Sequence, residues 1–176
     1  MTNRILSCPV PTNINPLSPN GFMFSIERLP SMTYFCQQVE IPSVSLGATE
    51  IGTRFVNYPI AGDKMEFGDL TVEFLVDANM DNYKAIFDWL DGLGKPENYQ
   101  QYIDQVASTI SKSEVAASMS DATLTILGAN GTPIRSIRFA DCFPTTLNSL
   151  TFLSTSQDVQ YLIGNATFKY SYFNFI

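Results

Sequence analysis

The sequence predicts a mainly β fold, an antiparallel β-sandwich or barrel with one flanking α-helix. Three observations predict it. Apolar and polar residues alternate at a period of two over several short runs, as where Leu70, Val72, Phe74 and Val76 interleave with Thr71 and Glu73. One stretch, from Asn79 to Gly94, changes the period, with Tyr83, Ile86, Phe87, Leu90 and Leu93 recurring at three and four. Clusters of Gly, Pro, Asn and Asp separate the runs.

Along the chain, residues 1–20 carry Pro9, Pro11, Pro16 and Pro19 among Asn, Ser and Thr and read as an irregular arm. "GFMFSIERL" and "TYFCQQVEI" follow as strands, then a loop, "PSVSLGATEIG", and a third strand, "TRFVNYPI". "DLTVEFLVD" is the cleanest strand. The helix after it has Asn79 or Asp81 as its expected cap, and Gly92, Gly94 and Pro96 end it. From 95 to 120 the chain is rich in Gln, Ser and Ala without an apolar stripe, which predicts a long loop and leaves open a short helix near Tyr102 to Ile110. "ATLTILG" and "PIRSIRFAD" form a hairpin around Asn130-Gly131. "TTLNSLTFL" and "DVQYLIGNATFKYSYFNF" are the last strands.

At 176 residues the chain fits one β domain over 21–176 after the arm. Charged residues make up only 15%, against an ordinary value of about 25%. With 13 Phe and 8 Tyr, this predicts surface hidden against partners. A net charge of −7 with ten basic residues argues against gripping nucleic acid through its phosphates. No stretch approaches the ~20 apolar residues of a membrane span, and the start lacks the apolar core of a signal peptide, so a cytoplasmic site of synthesis and assembly is expected. The absence of histidine excludes Ser-His-Asp and Cys-His catalysis and the usual zinc sites. Three cysteines without CxxC spacing fit reduced thiols.

The closing run "YLIGNATFKYSYFNFI" is unusual for a terminus because it is aromatic rather than polar. Phe168, Tyr170, Tyr172, Phe173, Phe175 and Ile176 are therefore the candidate subunit interface, with Phe168, Tyr170 and Tyr172 expected on one face. Glu66, Asp69 and Glu73 read as acids that keep an outer surface soluble. Asp77, Asp81, Asp88 and Asp91 match no Ca²⁺-loop spacing and read as a cap and solvated helix face, so no metal or cofactor is expected. Trp89 reads as a core residue. A small β-sandwich module binding a carbohydrate or other ligand through Tyr99 and Tyr102 stays open as the alternative.

The run "YPIAGDKMEFGDLTVEFLVDANMDNYKAIFDWLDGLG", with its Gly-Asp turn, "LTVEF" strand, acidic link and "NYKAIFDW" helix, resembles the tail-tube protein superfamily of contractile-tailed bacteriophages. "FADCFPTTLNSLTFLSTSQDVQYLIGNATFKYSYF" resembles that superfamily's closing pattern of a Pro-containing bend, strand, acidic turn and aromatic strand. The two stretches cover about half the chain. The resemblance implies a non-enzymatic virion tail protein, assembled in the host cytoplasm, whose subunits form hexameric rings and share strands in one β-barrel around a DNA channel, with Glu66, Asp69 and Glu73 as candidates for its acidic lining. It implies sheath and baseplate proteins as partners, and a place either in the repeating tube or at its baseplate-proximal start.

Overall fold

The computed structural model describes residues 14–94, 118–154 and 161–176, together with positions 100 and 103. The expected loop over 95–120 and helix near Tyr102–Ile110 therefore lie largely outside the described residues, as do Tyr99 and Tyr102. Of the expected arm, residues 14–20 are described, and they are exposed and without strand or helix.

Strands β1 (Phe22–Ile26), β2 (Cys36–Glu40), β5 (Leu70–Leu75), β6 (Ser120–Leu127), β7 (Pro133–Leu147), β8 (Ile163–Lys169) and β9 (Tyr172–Phe175) form one antiparallel sheet in the order β1-β6-β7-β8-β5-β2, with β9 also on β7. The period-two reading of β5 holds: Leu70, Val72 and Phe74 are buried and Thr71, Glu73 and Leu75 are partly exposed. Strand β7 is the spine, since its first part pairs with β6 and β9 and its last part with β8. Between these parts Asp141 takes φ 55°. The expected turn at Asn130-Gly131 joins β6 to β7, and only Gly131, at φ 71°, needs the left-handed region there.

Helix α2 (Asp81–Gly94) forms where the period changes and packs Ile86 and Trp89 into the core formed by the inner faces of β1, β5, β6, β7 and β8. Trp89 is buried as expected, and its Nε1–H donates to the Ser118 carbonyl at 2.9 Å. The cap differs from expectation. Asp77 Oδ1 accepts the Asp81 N–H at 2.7 Å, while buried Asn82 bonds the Leu75 carbonyl through Nδ2 at 2.7 Å and accepts the Asp77 N–H at 3.3 Å. Asp77 reaches this role because Met80, at φ 60°, folds the link back onto the helix start.

Three further boundaries move. "TYFCQQVEI" begins not as strand but as a single helical turn, α1 (Met32–Phe35), started by Pro30 and Ser31 and holding Met32 in the core. The loop expected at "PSVSLGATEIG" is strand β3 (Val44–Gly52), paired with β4 (Asn57–Phe67) in a separate two-stranded ribbon. "TRFV" is its turn, and the Gly-Asp step before "LTVEF", Gly68-Asp69, lies at the break between β4 and β5 (Leu70–Leu75). Likewise β7 runs through Pro144 to Leu147, and residues 148–153 form no strand.

Candidate assembly surface

The C-terminal segment runs along β7 without slipping between Phe143↔Lys169 and Ala140↔Tyr172, so β8 and β9 lie end to end on one side of the same strand. The sequence reading placed Phe168 on a subunit interface; the fold places it in the chain's own core, fully buried opposite Leu70 and beside Trp89. The remaining aromatics divide. Tyr170 and Phe173 turn inward, at ring distances of 5.2 and 5.6 Å from Phe139 and 6.2 and 5.5 Å from Phe67. Tyr172, Phe175 and Ile176 are 53%, 61% and 64% exposed. The expected single face for Phe168, Tyr170 and Tyr172 is broken at Ser171, between the two strands, which reverses the alternation so that Tyr172 points outward. The Tyr170 hydroxyl is sealed from solvent without a hydrogen-bond partner among the described residues, and burial pushes its pKa up to about 12.

Strand β9 has β7 on one side and no strand on the other among the described residues. Ile176 exchanges two backbone bonds with Ser136, its N–H at 2.7 Å and its carbonyl at 3.3 Å. By antiparallel alternation Phe173 and Phe175 then direct their N–H and C=O groups toward the open side.

The β3–β4 ribbon is the second exposed feature and the one sequence reasoning missed. Its residues are exposed apart from Gly62 and Phe67, which are half-buried. A ribbon this long with two free edges is marginal in water by itself. Its alternating apolar residues were legible, but Pro42, Gly47, Gly52 and the serines of "PSVSLG" outweighed them as loop signals. Pairings Val44↔Phe67 and Leu46↔Met65 put an apolar patch on one face near the base. Ile51↔Tyr58 and Thr49↔Ile60 put a second patch on the other face near the tip. At the crossover a Cβ on Gly62 would meet the Gly47 carbonyl oxygen at 2.6 Å, so the strands approach there as only glycine allows. Phe55, in the turn, is 91% exposed.

The acidic candidates do not form one cluster. Asp69 and Glu73 share the outer face of β5 by parity, where Asp69 pairs with Lys169 and Glu73 accepts the Asn165 amide at 3.4 Å. Glu40 on β2, opposite Thr71, shares this face and was not singled out from sequence. Glu66 is exposed on the ribbon instead. Among the described residues no group of carboxylates and thiols is arranged to hold a metal. Cys36 and Cys142 are free thiols, pushed by burial up to about 11 and about 12. An apolar cavity of about 430 Å³ opens between β1 and β2 beside Leu17 and Pro19.

The phage tail tube protein family matches residues 12–176. No curated protein matches the sequence. Among solved structures, the anti-feeding prophage tube-terminating cap superposes with a TM-score of 0.64 at 13% identity, covering 98% of each chain. A chain of the sheath–tube complex of the PVC extracellular contractile injection system gives 0.61 at 16%, covering 92% of this chain and 91% of that one. A chain of the sheath/tube terminator of that system gives 0.57 at 19%, covering 92% and 97%. These likenesses show a shared fold, a mainly antiparallel β architecture. With the family matched across nearly its whole length, the chain belongs to the phage tail tube protein family, a family of structural proteins rather than enzymes.

Proposed function

We propose that the chain is a subunit of a tail tube, assembling with copies of itself into stacked hexameric rings whose shared β-barrel surrounds a passage for DNA. The observation that carries this reading is the pairing of an open aromatic edge, β9, with an exposed ribbon, β3–β4, in one chain. Two different sticky surfaces on each copy are what a closed ring of head-to-tail contacts requires. Shared strands would cover edges that in a lone subunit invite aggregation. The outer face of β5, β8 and β2, with Asp69, Glu73 and Glu40 against Lys169, is the candidate channel wall, since a neutral to acidic surface lets a polyanion slide without adhering. Sheath and baseplate proteins are the proposed partners in a virion tail, with the chain in the repeating tube or at its baseplate-proximal start. Negative-stain microscopy of the purified chain tests this: rings or tubes are expected, and a monodisperse monomer at every concentration overturns it.

A further inference from the structure

We propose that the open edge of β9 is closed by strand β3 of a second copy, added as a further strand of the sheet. The inference rests on the tube reading for the presence of neighbouring copies.

The edge is open because the chain vacates it. The pairing of β5 with β8 ends at Leu70↔Phe168, although β8 and β9 continue on β7. Extending β5 backward would bring Phe67, Glu66 and Met65 beside β9. Instead the chain turns away at Gly68, whose N–H donates to the Ser43 carbonyl at 2.8 Å. A Cβ at Gly68 would meet Ser43 Oγ at 2.7 Å and the Ser43 nitrogen at 3.2 Å, so any larger residue would have to displace Ser43 at this junction. Phe67 stays on Phe173, and the rest of β4 leaves with β3. The other free edges among the described residues are less available: β1 is bridged at Ile26 by Leu29, β1 and β2 flank the cavity lined by Leu17 and Pro19, and the last part of β7, paired only with β8, carries Pro144.

Of the ribbon's two outer edges, only β3 is unprotected. The Thr53 N–H donates to the Val56 carbonyl at 3.1 Å, which fixes the alternation and directs the nitrogens of Glu50 and Pro59 outward. Pro59 has no N–H to offer, and β4 also carries Asp63, Lys64 and Glu66, the usual guards of an edge. Strand β3 has no proline and one charge, Glu50. That charge complements Arg135, exposed on β7 beside the end of β9 and in no ion pair among the described residues.

Two proline variants of the full chain test this, each removing one outward N–H while leaving the inward bonds intact. Glu50→Pro disables the donor edge and Phe175→Pro the acceptor edge. Sedimentation velocity is expected to find each variant monomeric under conditions where the unmodified chain assembles, and their mixture a 1:1 dimer that grows no further. A mixture that stays monomeric, or a single variant that assembles like the parent, overturns the inference and leaves the tube reading standing. A parent chain that never assembles removes both. Should Phe175→Pro fold poorly by circular dichroism, Glu50→Cys and Phe175→Cys chains, each also carrying Cys8→Ser and Cys36→Ser, mixed with a short bis-maleimide give the second measurement. Covalent heterodimers support the pairing, and their absence in assembled material refutes it.

Discussion

Asp121 on β6 accepts the backbone N–H of Asp141 on β7 at 3.2 Å, and Asp141 is the residue at φ 55° where β7 passes from its β6–β9 part to its β8 part. The second Asp121 oxygen takes the Arg138 guanidinium, with Nε at 3.2 Å. One carboxylate thus ties β6 to β7 at the residue where β7 changes partners. Asp121→Ala is expected to cost about 1–2 kcal/mol through the lost Asp141 bond, with the solvent-facing Arg138 pair adding little. Asp141→Gly is expected to be neutral or slightly stabilising, and Asp141→Val destabilising, because a branched side chain resists positive φ. Urea unfolding midpoints check the order of the three.

Phe74 lies directly opposite Gly164, and its ring occupies the space a side chain at 164 would need, with Cζ 2.6 Å from the position of an added Cβ. Phe74 is fully buried, so it has no room to yield. Gly164→Ala is expected to destabilise by about 1–3 kcal/mol. If the double variant Gly164→Ala, Phe74→Leu is no more stable than Gly164→Ala alone, the steric explanation fails.

Tyr170 and Cys142 both hold their protons more tightly in the folded chain, at about 12 against ordinary values of 10.0 and 9.0, because burial disfavours their anions. Their contribution is fully present below about pH 9 and is lost as the pH rises toward about 12, where the unfolded chain has already released both protons. Thermal melts from pH 8 to 11 should show midpoints falling with pH. Tyr170→Phe should flatten that fall and, by removing a hydroxyl without a partner among the described residues, raise the midpoint near neutral pH by about 1 kcal/mol of stability.

Ile60 and Tyr58 form the tip patch of the ribbon and touch none of the buried core. Ile60→Asp is therefore expected to leave the melting temperature of the monomer within about 0.5 kcal/mol of the parent while reducing assembly. Light scattering and a melt on the same preparation separate the two effects. Equal assembly by variant and parent would show that the tip patch is not a contact.

What the sequence made legible follows from how local each signal is. Strand β5, helix α2 and the β6–β7 turn are written in neighbouring residues: strict alternation at Leu70–Phe74, a three-four repeat from Tyr83 to Leu93, and Gly131 where φ is positive. The cap of α2 was misread because Asp77 reaches it only through the backbone of Met80, which composition does not report. Phe168 looked like its aromatic neighbours, and only its position opposite Leu70 makes it core rather than edge. The ribbon was missed for a different reason. Its apolar alternation has no buried face in a single chain to reinforce it, so loop-forming residues dominated the reading.

The two patches of the ribbon face opposite ways because β4 inserts two residues more than β3 between Leu46↔Met65 and Ala48↔Ala61, an even number that preserves parity through the glycine crossover. Removing one residue from β3 between Leu46 and Ala48 would rotate Ile51 to the side now held by Glu50 and present an acid where a hydrocarbon belongs. The ribbon can therefore be lengthened or shortened only in steps of two if its two apolar patches are to keep their opposite faces.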